Sequence, residues 1–176
     1  GQAVAIAKDL ADNHPNFAKR PQAMFFLGFA LLEVGKEKEA LGYLNAYVKQ
    51  FPQHENVPNA YRILADVDFD ANRWNAAENL YKEILKFPSS PIIGYALYKI
   101  GWCNYSQKNY AKAMLGLEQA IQWTRNLENT DQLLNLKREA GRDLISMYAE
   151  IGNHKRAYEY FERFVGGSES AKWLAD

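Results

Sequence analysis

The sequence predicts an all-α fold, an α–α superhelix (solenoid) of about four and a half helix–turn–helix repeats, on three observations. The first is self-similarity. Ala40, Ala77, Ala113 and Ala157 are each followed four positions later by a large side chain, Leu44, Tyr81, Leu117 and Phe161. The alanines are separated by 37, 36 and 44 residues. The second is punctuation. Gly35-Lys36-Glu37, Asn72-Arg73-Trp74, Lys108-Asn109-Tyr110 and Gly152-Asn153-His154 divide each repeat into two helical patterns. Gly and Asn tolerate the left-handed conformation that ends many helices. The third is the near absence of strand-like alternation.

The elements follow in order along one domain, residues 1–176. Residues 2–16 form a half repeat, a second helix without its first, closing at His14-Pro15-Asn16. Full repeats are expected at 21–52 and 57–88, which end in Phe51-Pro52 and Phe87-Pro88, and at 93–125. The repeat at 126–165 absorbs the longer spacing as about two extra helical turns, read as one long first helix, Asp131 to Ile151, with its first turns projecting from the stack. Residues 169–176 resemble the start of a further first helix, so the chain reads as an excerpt of a longer array. Gly28, Ala65 and Gly101 are expected where the first helix of a repeat touches the second, opposite the central alanines, because close helix contact needs small side chains. In the last repeat Ile145 replaces the small residue, which predicts a splayed helix pair.

At these positions the pattern resembles the tetratricopeptide repeat, a unit normally of about 34 residues. Leu27-Gly28, Leu64-Ala65 and Ile100-Gly101 stand where that family has Leu-Gly, the four alanines stand at its central small position, and Pro15, Pro52 and Pro88 stand at or near its closing proline. A second resemblance covers one stretch: Phe87-Pro88-Ser89-Ser90-Pro91 and Tyr95 to Trp102 resemble repeats of bacterial cell-envelope proteins of the Tol-Pal accessory and outer-membrane assembly lipoprotein type. That likeness implies a periplasmic or cell-envelope location rather than a cytoplasmic one.

Composition narrows the function. Twenty-one basic and 21 acidic residues cancel, which argues against nucleic-acid binding and anionic-membrane binding. The longest apolar run, Ala23 to Leu32, has ten residues, about half of a membrane crossing, so no membrane insertion by this segment is expected. The single cysteine, Cys103, excludes an internal disulfide and a multi-thiolate zinc site. It reads as a buried inert thiol. His14, His54 and His154 fall in turns without a partner at i+3 or i+4 and read as solvated. Asp66-Val67-Asp68-Phe69-Asp70 imitates the start of a calcium loop, but Ala71 and Ala77 stand where that loop needs Gly and Glu. Lys137-Arg138 and Lys155-Arg156 alternate with Glu139, Asp143 and Glu159, which reads as a solvated face. No catalytic residue, metal or cofactor is expected; the chain reads as a non-enzyme.

The resemblance implies a concave groove formed by the first helices. Its family positions fall on Phe25 and Phe29; on Arg62, Asp66 and Phe69; on Tyr95, Tyr98, Trp102 and Tyr105; and on Glu139, Arg142 and Ser146. The third set has spacing i, i+3, i+7, i+10 and shares one helix face. These rings either pack between repeats or form a recognition strip, where Tyr and Trp supply area at little entropic cost. The family's carboxylate clamp needs Lys and Asn, then Asn, then Lys and Arg. The residues here are Arg62 and Asp66, then Lys99, then Glu139 and Asp143, and a start one repeat earlier fits no better, which argues against that clamp. The expected partner is a protein or peptide segment held in this groove, within a bacterial multiprotein complex. The alternatives are self-association through open repeat edges or the turns near Leu133, Leu134 and Leu136, and, lower, glycan contact through exposed rings.

Overall fold

A computed structural model describes residues 2–125, 127 and 130–165. Helices account for all the regular structure among them: α1 Gln2–Asn13, α2 Arg20–Glu33, α3 Glu37–Gln50, α4 Val57–Asp70, α5 Trp74–Ile84, α6 Ile93–Ser106, α7 Tyr110–Arg125, α8 Asp131–Ile151 and α9 Ala157–Val165. A 3-10 turn, His154–Arg156, leads into α9. The fold is all-α. The expected further helix at 169–176 lies outside the described residues. The chain divides into two compact units, residues 1–67 and 68–176, with the division inside α4.

Local sequence accounts for most helix ends. α2, α4 and α6 finish in the same hydrogen-bonded motif. In each, the amide two residues past the C-cap donates to a carbonyl inside the last turn: Lys36 to Leu31 at 2.8 Å, Arg73 to Asp68 at 2.8 Å, and Asn109 to Asn104 at 2.9 Å. The residue between C-cap and donor takes the left-handed conformation, with φ of 74° at Gly35, 59° at Asn72 and 61° at Lys108. The first two are the residue types this geometry favours. In the third turn it is Lys108, not the neighbouring Asn109, that adopts it. The fourth turn departs, since Gly152 is extended at φ −83°. α8 opens instead with a side-chain cap, the Thr130 hydroxyl accepting from the Leu133 amide, and with Asp131 in its first turn.

In unit 1, α2 and α3 pack through Leu27, Leu31, Ala40 and Leu44, all buried. A Cβ placed on Gly28 would stand 2.6 Å from Leu44 Cγ and 3.4 Å from the Ala40 carbonyl, so the pair meets at the expected small residue. Tyr47 closes this core, with Phe25 at 5.7 Å and Phe51 at 6.0 Å between ring centroids. His54 is not a solvated turn residue. Half-buried, its Nδ1 lies 2.6 Å from the Tyr47 hydroxyl, and its ring meets Tyr47 edge-on. α1 is tied on by polar contacts: Tyr43 donates to Asp12, Lys8 pairs with Glu39, and Arg20 Nε donates to the Ala11 carbonyl in the last turn of α1.

In unit 2, the core joins Ala113, Leu117, Ala120 and Ile121 of α7 to Ala140, Leu144, Met147 and Tyr148 of α8 and to Phe161 of α9. α6 and α7 approach more closely than α2 and α3. A Cβ on Gly116 would stand 2.8 Å from both the Cα and the N of Gly101 and 3.1 Å from the Leu97 carbonyl. Backbone lies against backbone there. α8 has 21 residues against 14 in each of α2, α4 and α6. Its early turns do not all project: Leu136 and Trp123 occupy the space in front of Gly94, while Leu134 is 48% exposed. Tyr160 of α9 stacks on Tyr148 of α8 at 4.5 Å, and Phe161 meets Tyr148 edge-on at 5.3 Å. Rings thus join α8 and α9, and Ile145, which replaces the usual small residue, packs half-buried against the same core.

Candidate interaction surfaces

Each unit presents a first helix carrying rings, and the two differ in how those rings are held. On α2 of unit 1, Phe25 is only 8% exposed and serves the Tyr47 core. The candidate surface therefore loses Phe25 and gains its neighbour Phe26, which is 58% exposed. Phe29 is 45% exposed and one turn from Phe26 on the same stripe, which Glu33 continues toward the helix end. In the described residues of this unit Arg62 and Asp66, one turn apart on α4, pair with each other at 2.9 Å.

On α6 of unit 2 the rings are held by polar groups of other helices. Tyr98 donates to Asp143 Oδ2 at 2.7 Å, and the Trp102 indole N–H donates to the same oxygen at 3.1 Å. Tyr105 donates to both carboxylate oxygens of Glu150, at 3.1 and 2.9 Å. Tyr98, Trp102 and Tyr105 also pack against the α7–α8 core. Burial first, and then the bond to Asp143, pushes the Tyr98 hydroxyl up to about 12. The bond to Glu150 raises that of Tyr105 as well. The Lys99 ammonium lies 3.4 Å from the centroid of the Phe69 ring and 5.9 Å from that of Tyr95. Phe69 also meets Trp74 edge-on at 4.9 Å, and Tyr95 meets Tyr81 at 6.2 Å.

Of the predicted residues of unit 2, the structure thus gathers Phe69, Tyr95, Tyr98, Trp102 and Tyr105 along α6 and its neighbours, all half-buried. Arg142, Glu139 and Ser146 on α8 are exposed. Asp143 is not part of a solvated face: it is half-buried and accepts two hydrogen bonds. The residues that sequence reasoning passed over here are Asp143 and Glu150. The signal was present in their spacing. Tyr98 and Tyr105 are seven apart on α6, Asp143 and Glu150 are seven apart on α8, and each tyrosine lies 45 residues from its acceptor.

Cys103 is buried, and desolvation pushes its thiol up to about 12, so thiolate is scarce at neutral pH. Among the described residues no cluster of three His, Cys, Asp or Glu is placed to hold a metal ion, and no helix is long and apolar enough to cross a membrane.

A family model described as tetratricopeptide repeat matches residues 1–55 and 64–126. The chain belongs to the tetratricopeptide repeat family. No curated protein sequence is similar enough to count as a relative. Solved structures similar to this tetratricopeptide chain include MamA, at 19% identity and a TM-score of 0.65, with 98% of this chain and 88% of that one covered. A segment of MamA from Desulfovibrio magneticus RS-1 aligns at 18% identity and a TM-score of 0.63, covering 96% of this chain and 85% of that one. A kinesin light chain of Podosopora anserina with nearly identical TPR-like repeats aligns at 15% identity and a TM-score of 0.64, covering 97% and 84%. At these identities the likeness is one of fold. Repeats of this family act as protein-interaction scaffolds.

Proposed function

We propose that this chain is a non-catalytic scaffold that holds a segment of a partner protein along the first helices of its repeats, within a bacterial multiprotein complex. The observation that carries the reading is the stripe on α2. Phe26 and Phe29 expose about half of each ring, one turn apart, on a helix whose opposite face already fills the core. Large apolar surface of this kind is favourably covered by a partner at ~25 cal/mol per Å². On α6 the rings supply a second contact face, with Arg142 exposed on α8 beside it. An extended segment or an amphipathic helix suits such faces, since either presents side chains at regular intervals. The likeness of Phe87 to Trp102 to repeats of Tol-Pal accessory and outer-membrane assembly lipoproteins supports a cell-envelope setting.

Site-specific photo-crosslinking in the source cell tests this. A photoreactive residue at Phe29 or Trp102 is expected to capture a discrete partner segment, whereas one at Lys155, in the turn before α9, is not. Equal capture from all three positions, or from the turn alone, would overturn the reading. A second reading, self-association, draws on exposed Leu134 and Leu127 near the start of α8. It expects a concentration-dependent dimer that Leu134→Glu dissolves and Phe29→Ser does not.

A further inference from the structure

We infer that the α6–α8 face of unit 2 takes basic side chains, so that the partner segment it holds is lysine- or arginine-rich. This deepens the scaffold reading and rests on it.

Rings and carboxylates stand together on this face. Trp102 and Tyr105 meet edge-on at 5.4 Å, and Tyr105 meets Tyr110 edge-on at 5.6 Å, giving a run of three rings. In an edge-to-face pair the ring that offers its edge keeps its own electron-rich faces off that neighbour. The carboxylates of Asp143 and Glu150 stand at the polar edges of the same rings, within 3.1 Å of Trp102 Nε1 and of the Tyr105 hydroxyl. Glu150 is exposed and Tyr105 half-exposed, so both can be reached from solvent. A carboxylate offers about four acceptor positions. Oδ2 of Asp143 takes two bonds, and Glu150 receives one hydroxyl across its two oxygens, so both retain capacity for a cation. Ring faces with carboxylates beside them favour ammonium and guanidinium groups.

The same helix supplies an independent precedent. One turn before Trp102, Lys99 of the chain itself lies 3.4 Å above the Phe69 ring and within 5.9 Å of Tyr95. The aromatic strip therefore already holds one cation at its first end. Among the described residues no cation lies over Trp102 or Tyr105 at the other. The carboxylates bonded at that end are Asp143 and Glu150, with the exposed Arg142 next to Asp143 in the chain, while Glu139 acts on Tyr98 one turn nearer Lys99. The balance is acidic, the reverse of what the family's carboxylate clamp needs at the Glu139 and Asp143 positions.

The test uses three labelled peptides of equal length, built on one spacer and carrying Lys/Arg, Gln or Glu, with fluorescence anisotropy as the readout. The Lys/Arg peptide is expected to bind the parent chain and to weaken in high salt. In Asp143→Asn/Glu150→Gln, which keeps the acceptor oxygens for Tyr98, Trp102 and Tyr105, its affinity is expected to fall about tenfold. Arg142→Gln is expected to tighten it about two- to threefold, by removing a like charge. This second variant lies on an exposed position and decides the matter should the double variant unfold. Equal affinity for the Lys/Arg and Gln peptides, preference for the Glu peptide, or an Arg142→Gln variant that binds no tighter would overturn the inference. A crosslink at Trp102 that captures a segment without basic residues would also overturn it, while leaving the scaffold reading in place.

Discussion

The first helices α2 and α6 stand at equivalent places in their repeats and carry comparable rings, yet one leaves its rings free and the other ties them down. On α2, Phe26 and Phe29 have no polar edge, so no neighbouring helix can hold them by a hydrogen bond, and they remain exposed. On α6, Tyr98, Trp102 and Tyr105 each have a donor, and the carboxylates of α8 take all three. The packing beneath differs in the same direction. Gly28 faces the side chain of Leu44, whereas Gly116 faces the backbone of Gly101. A hydroxyl or indole N–H therefore turns a stripe on α6 into a joint with α8, while glycine on both sides lets α6 close on α7.

The largest expected effect breaks the packing half of this comparison. Gly116→Ala puts a methyl group 2.8 Å from main-chain atoms that have no room to move, and about 1–3 kcal/mol of stability should be lost. Gly28→Ala meets a leucine side chain that can rotate in part, so its loss should be smaller. Thermal melts of the two variants check this, and equal losses would count against the closer approach of α6 and α7.

Next comes the polar half. Asp143→Ala strands the Tyr98 hydroxyl and the Trp102 indole together, at a cost of about 1–3 kcal/mol, whereas Asp143→Asn keeps an acceptor and should recover much of it. Chemical denaturation of both variants measures the difference. Phe29→Ser, with no partner to strand, is expected to change stability by less than about 0.5 kcal/mol.

Lys108→Gly should act in the opposite sense. Lysine at φ 61° is strained where glycine is not, so a gain of about 0.5–1 kcal/mol is expected from denaturant midpoints. The same change at Gln107, whose φ is −90°, should bring no gain.

The gentlest test is optical. Tyr98 and Tyr43 should hold their protons to about pH 12, and burial with a neighbouring carboxylate raises Tyr160 as well. A phenol raised in the folded state favours folding while neutral. Its contribution is complete below pH 10 and is lost as pH climbs from 10 through 12. Ultraviolet titration should show this late fraction, and Asp143→Asn should bring part of it earlier. A single transition near pH 10 in the parent chain would remove the tie between α6 and α8.

Much of the helical order was legible along the chain, because the causes are local. The alanine period, Gly35 and Asn72 act within a few residues of themselves. Lys108 shows the limit: the helix end required a left-handed residue, and the hydrogen bond from Asn109 to Asn104 decided which one supplied it. Phe25 and Phe26 show another, since both are phenylalanine and one step of about 100° around the helix sends one ring into the core and the other into water. His54 read as a turn residue because its partner, Tyr47, lies seven positions back on a different element.

By itself, then, the sequence determined the all-α class, the repeat and the small residues where helices touch, since hydrophobic period and turn chemistry are properties of neighbours in the chain. Only the tertiary structure decided which rings stay exposed and which carboxylates hold the others. Asp143 meets Tyr98 across 45 residues, and the register of two packed helices, not the chain between them, sets that contact.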